Sequence, residues 1–190
     1  SGSYLQMLGR HEDGVSSFAS WRNIKLASAS NKDCIRIWNL DDGTCLQNIQ
    51  TGSLSHTQLA FSHNGEFLCS ISLIHPLAQL RSEVELQEEK EEKEEKELVG
   101  YIINLTSGTQ AHRFKIGGYL KHSALSERGQ WIARAKGKSI KLAQWSTCSD
   151  PTWVELGSHD DDVDMMVFST SGSLLASTSS PPDSTGTIKV

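Results

Sequence analysis

The sequence predicts an all-β chain built from repeated, four-stranded antiparallel units. Three observations carry this reading. Polar, Gly-containing turns recur at regular separations along the 190 residues. Short apolar runs of strand length, not helix length, flank those turns. Strong turn signals arrive about every 8–12 residues, the spacing of an all-β chain.

The repeats come from two series of turns. Ser1-Gly2, Asp42-Gly43 and Ser107-Gly108 place their glycines 41 and 65 residues apart. Ser62-His63-Asn64-Gly65, Ser126-Glu127-Arg128-Gly129 and Ser169-Thr170-Ser171-Gly172 place theirs 64 and 43 apart. The long gap in each series spans one acidic segment. An insertion of about 24 residues there leaves a repeat of about 41, within the roughly 40–45 of a β-propeller blade.

In chain order, Leu26-Ala27-Ser28-Ala29-Ser30 and Cys34-Ile35-Arg36-Ile37-Trp38 are β-rich runs of strand length. Trp21 is expected in a strand-connecting turn. Leu59-Ala60-Phe61, a polar Gly turn and Phe67-Leu68-Cys69 form a hairpin pattern. Ala124-Leu125 with Trp131-Ile132-Ala133 repeats it, and Met166-Val167-Phe168 with Leu174-Leu175-Ala176 repeats it again. Ser139 to Leu142 is a further alternating strand.

The exception is a charged insertion at 71–97, between strands of the second repeat. From Arg81 to Glu97, nine Glu face three Lys and one Arg, a net −5 equal to that of the whole chain. Glu89–Lys93 and Glu92–Lys96 have helical i, i+4 spacing, but there is no apolar face to dock. Isolated helices this short are marginal in water, so the segment is expected to be a solvated loop. Its functional alternative is an acidic docking segment for a basic partner.

A neutral body with one acidic segment argues against a nucleic-acid platform, which shows a basic face. No apolar run approaches the roughly 18 residues of a membrane span. Ser1 to Gly9 carry no secretory pattern, so a cytoplasmic chain is expected. Cys34, Cys45, Cys69 and Cys148 lack the short spacing of a zinc site. They read as reduced thiols packed in strands.

Leu8-Gly9-Arg10-His11-Glu12-Asp13-Gly14-Val15, then Leu26 to Ser30, then Ile35-Arg36-Ile37-Trp38-Asn39 together resemble the Trp-Asp (WD) repeat family of β-propellers. In that family a His, a Ser, a turn Asp and a Trp form a buried hydrogen-bond chain. The resemblance places His11, Ser28 and Trp38 at three of those positions and Asn39 at the closing Asp. Lys32 stands at the turn Asp, with Asp33 one place late. The last repeat aligns His159 and Ser177. The second keeps Ser70, with Gly52 and Ile103 at the His and Trp positions. The third has Ile116, Arg134 and Ala143, which predicts no such network. Turn wording such as Asp42-Gly43-Thr44-Cys45-Leu46-Gln47 is also similar, more weakly, to the C-terminal propeller repeats of fungal NACHT-type proteins.

Ser1 to Gln6 match Asp42 to Gln47, and Val190 stands one residue before the Trp position. The tally is one outer strand, three full sets and three inner strands. The expected architecture is about four four-stranded blades across 1–190, an incomplete arc of a larger ring. The alternative is a closed four-blade ring, with Tyr4 to Leu8 beside the strand that ends at Val190.

The resemblance implies a partner-binding face at the start of each innermost strand: Gly14 and Ser16, Ser55 and Thr57, Tyr119 and Lys121, Asp162 and Asp164, with Asn31 at a matching turn. Tyr119 with Lys121 is the best anchor candidate. No nucleophile elbow or phosphate-binding loop occurs. The acidic run His159-Asp160-Asp161-Asp162 with Asp164 could offer oxygens to a metal, but solvated loop carboxylates are the plainer reading. The sequence thus predicts a non-catalytic protein-interaction scaffold without cofactor, metal, nucleic acid, membrane or small-molecule substrate. The alternatives are a structural segment of a larger multidomain signalling protein and, last, a metal-dependent enzyme using 159–164.

Overall fold

The computed structural model describes residues 7–30, 34–51, 55–74, 97–117, 122–126, 130–180 and 186–190. Four antiparallel sheets stand in a ring, like a four-blade propeller. Blade 1 holds β1 (Val15–Trp21), β2 (Lys25–Ser30), β3 (Cys34–Asn39) and β4 (Cys45–Gln50). Blade 2 holds β5 (Ser55–Phe61), β6 (Phe67–Ile74), β7 (Glu97–Asn104) and β8 (Thr109–Lys115). Blade 3 holds β9 (Ser123–Leu125), β10 (Trp131–Lys136), β11 (Ser139–Gln144) and β12 (Val154–Ser158). Blade 4 holds β13 (Val163–Phe168), β14 (Leu175–Ser179) and β15 (Thr187–Lys189), three strands among the described residues. Strands neighbour one another in chain order throughout.

The hairpins read from the sequence are present, and they pair Phe61 with Leu68, Leu125 with Ile132 and Phe168 with Leu175. One turn device recurs. Ser62, Ser126 and Ser169 each accept, on the hydroxyl, the N–H of the residue five places on, at or just before the start of the next strand, at 3.0, 2.9 and 3.1 Å. Each also donates its own N–H back to that residue's carbonyl. The Ser therefore closes the turn from both sides, and Gly65 and Gly172 supply the positive φ the turn needs. At Gly65 there is a second demand. A Cβ there would lie 2.5 Å from the Trp21 ring. Trp21 ends β1 instead of sitting in a turn, packs against the first core cluster, and donates Nε1 to the His63 carbonyl at 3.1 Å.

The ladder between β6 and β7 runs on through Leu73–Leu98 and Ile74–Glu97. It thus takes up 71–74 and Glu97, which the charge pattern placed outside the sheets. Ile71, Leu98 and Val99 are buried, and that apolar surface extends the strands. The rest of the insertion, 75–96, lies outside the described residues. Cys34 and Cys69 are buried strand thiols, whereas Cys45 and Cys148 are exposed. Cys148 stands between β11 and β12, so packing in strands does not extend to it.

We call the face of a blade turned to its predecessor its leading face. Ala19, Ala27, Ala29, Ile35, Ile37 and Ile49 on the trailing face of blade 1 pack on Leu59, Phe61, Leu68 and Ile103 of blade 2. Cys69, Ile71, Leu98 and Ile102 of blade 2 pack on Ile132 and Trp145 of blade 3, with Phe114 and Ile116 alongside. Ala133, Ala135 and Ile140 of blade 3 pack on Val163 and Met166 of blade 4. No such cluster joins blade 4 to blade 1 among the described residues. A small cavity of about 290 Å³ lies on the ring axis, lined by residues of all four inner strands, including Phe18, Gln58, Leu125 and Met166. No helix among the described residues is long and apolar enough to cross a membrane.

Candidate functional site

The His–Ser–Trp positions come together in blade 1. His11 Nε2 lies 2.7 Å from Ser28 Oγ, and Trp38 Nε1 donates to the same oxygen at 2.8 Å. The hydroxyl can accept from the indole and give its own proton to the imidazole. On the other side of the ring, His11 Nδ1 lies 3.5 Å from Cys34 Sγ, which in turn is 3.9 Å from Ser30 Oγ. Asp33 lies outside the described residues.

Blade 4 repeats the arrangement. His159 Nε2 lies 2.8 Å from Ser177 Oγ. His159 Nδ1 is 3.0 Å from Thr187 Oγ1 and 3.1 Å from Ser179 Oγ, and those two hydroxyls are 2.9 Å apart. Both imidazole nitrogens are therefore engaged with hydroxyls, and the ring is buried. Sequence reasoning missed Cys34, Ser30, Thr187 and Ser179. The signal was available: Cys34 and Thr187 are the first residues of β3 and β15, and Ser30 and Ser179 are the last of β2 and β14.

A cation completes each network. Arg36 donates to the carbonyl of Arg10, and Lys189 Nζ donates to the carbonyl of Ser158 at 2.6 Å. In each case the carbonyl belongs to the residue before the network His. Blade 2 keeps Ser70, buried with its oxygen 3.3 Å from Ser72 Oγ. In blade 3, Arg134 takes the Ser position, donates to the Ile116 carbonyl, and sits 4.1 Å from the centre of the Trp153 ring.

On the face where the inner strands begin, Gly14, Ser16, Asp162 and Asp164 are exposed. Ser16 Oγ donates to the Ala29 carbonyl at 3.2 Å. Ser55 opens β5, and Thr57 follows on the same strand. Asn31, Tyr119 and Lys121 lie outside the described residues. The loop before β13 is tied to the Gly137-Lys138 turn. Lys138 Nζ donates to the Asp160 carbonyl at 2.5 Å, and the N–H groups of His159 and Val163 donate to the carbonyls of Lys138 and Gly137. Among the described residues no group of three or more His, Cys, Asp or Glu is placed to hold a metal ion.

No known family profile matches the chain, and no curated protein matches it. Among solved structures it is similar to the crystal structure of the computationally designed Ika4 protein. The identity is 14% and the TM-score 0.58, over 100% of this chain and 98% of that one. At that identity the likeness speaks for the fold alone.

Proposed function

We propose that the chain is a WD-repeat propeller unit that acts as a non-catalytic protein-interaction scaffold. The observation that carries this is the hydrogen-bonded frame around His11 and His159. In both blades the segment before the inner strand is fixed by the His–Ser contact and by a cation on the preceding carbonyl. That frame holds the loops leading to Gly14, Ser16, Asp162 and Asp164 in set positions, and a preorganised polar face reduces the ordering cost of binding. His159 spends both nitrogens inside the frame, which argues for structure over metal chemistry in the 159–164 run. The proposed partner is a protein, with no cofactor and no nucleic acid.

The test is cross-linking of the chain in lysate, with mapping of the linked positions. Partners linked at the inner-strand face, and lost on Ser16→Arg with Asp164→Lys, support the scaffold reading. Equal capture by that variant and by an outer-strand variant, Asn48→Lys, overturns it. Among the described residues the apolar seam between blades 4 and 1 is bare, which favours a second reading, a structural segment within a larger assembly. That reading predicts links at Phe18 and Val167 instead.

A further inference from the structure

We propose that the leading face of blade 3 is a binding site for a phosphate-type oxyanion, held by Arg134, Lys136 and Lys141. These three side chains, with Gly117 and Ser139, line a pocket of about 180 Å³. The pocket stands where blades 1 and 4 carry their His–Ser networks.

The placement follows from register. Arg134 faces Lys141 directly across the β10–β11 ladder, and Lys136 faces Ser139. Side chains alternate along a strand, so all four share one face. Like charges directly opposite one another destabilise a sheet, and a third cation adds to that. Lys141 occupies the place of Arg36 and Lys189, each paired opposite a network Ser. Those two cations donate to the carbonyl before the His. In blade 3 Ile116 stands at the His position, Arg134 has taken its carbonyl, and Lys141 forms no ion pair among the described residues. Glu155 faces Lys141 across the β11–β12 ladder and accepts from Ser139 Oγ at 2.8 Å, but does not line the pocket. Among the described residues the lining thus holds three cations and no carboxylate.

Arg134 is held for recognition. Trp153 covers its guanidinium, and one nitrogen is anchored on Ile116, which leaves its other N–H groups free to meet an oxyanion. Burial pulls this guanidinium below its ordinary pKa, so an anion beside it relieves a desolvated charge. Gly117, at φ +67, keeps the mouth open; a Cβ there would lie 3.0 Å from Arg134 Nη1. The volume is well under the roughly 300–1,000 Å³ of a drug-sized ligand site, so the pocket suits one charged group rather than a whole nucleotide. A planar Arg beside two Lys point charges favours the phosphate dianion over a carboxylate.

Calorimetric titration of the chain with inorganic phosphate at low salt tests this. Saturable binding is expected, weakened about tenfold or more by Lys136→Gln with Lys141→Gln, the loss of two charge-assisted contacts. Arg113→Gln, a cation on the exposed outer strand β8, should leave binding unchanged. Should the double variant not fold, exposed Lys136→Gln alone must still weaken binding. No saturable uptake, or equal uptake by the Lys variants, overturns the site. A phosphoserine peptide flanked by glycines separates the sources. Binding tighter than inorganic phosphate supports the site with a phosphorylated protein as ligand, and equal or weaker binding supports it with the free anion.

Discussion

Ser28 Oγ carries two hydrogen bonds of the blade 1 network, one to Trp38 Nε1 and one to His11 Nε2. Trp145 offers a matched control, because its buried Nε1 has no partner among the described residues. Trp38→Phe and Trp145→Phe remove the same atoms, but only the first strips a buried hydroxyl of a donor. In urea melts Trp38→Phe should be the more destabilising by about 1–3 kcal/mol. Equal losses would deny the network its energetic role. Trp21 is a poorer control, since its Nε1 has a partner in His63. The thiols separate by burial. Desolvation pushes the Cys69 thiol far above its ordinary pKa, and Cys34 is buried too. Alkylation of the native chain near pH 8 should modify Cys45 and Cys148 and spare Cys34 and Cys69, read by mass spectrometry. The His, Ser and Trp of this network were legible through the resemblance of one local stretch to a known repeat. Cys34 opens the run that was read as a strand, but its part was missed because it depends on the His11 ring being folded against it.

At the scale of elements, the hairpins were legible because a Ser–Gly turn and its flanking strands form one local unit. The basic face of blade 3 was legible in principle: Arg134, Lys136 and Lys141 share one face of one hairpin. The sequence showed an absent network there, while the register shows what replaced it. The strand faces also allow a paired experiment. Ile35 and Ile188 occupy equivalent places, opposite Ala29 and Thr178. Ile35 is 0% exposed at the seam with blade 2, and Ile188 is 73% exposed. Ile35→Ala should cost about 2–5 kcal/mol, whereas Ile188→Ala should stay within about 0.5 kcal/mol. Chemical denaturation of the two variants checks this, and a large loss from Ile188→Ala would place that side chain in a packed seam.

Among the described residues the whole molecule has three sealed seams and one bare one. Leu59 and Met166 are each 6% exposed where they face the network Ser of their blades, whereas Phe18 at the same place in blade 1 is 73% exposed. Across the ring, Val167, Ile188 and Val190 are exposed on blade 4. The two faces differ, and each resembles one half of a seam the chain already makes three times, so joining copies head to tail repeats a proven contact. Contiguous exposed apolar surface of this kind marks an interaction or aggregation site. Light scattering on the purified chain should show association that grows with concentration and falls in Val167→Lys with Ile188→Lys. A sharp monomer at every concentration would mean that the seam is closed within one chain.

What the sequence determined by itself is local: the all-β class, the repeat of about 41 residues and the hairpins, with the His, Ser and Trp positions marked by the resemblance to a known repeat. These depend on alternation and turn chemistry within a few tens of residues. Tertiary structure alone decided which faces meet. It buried Ile35 and exposed Ile188, put Trp21 on Gly65, extended β6 to Ile74, and gathered three cations where blades 1 and 4 carry their His–Ser networks. A strand's own pattern states that one face is apolar. Whether that face is covered depends on the neighbouring blade, and seam packing acts between residues far apart in the chain.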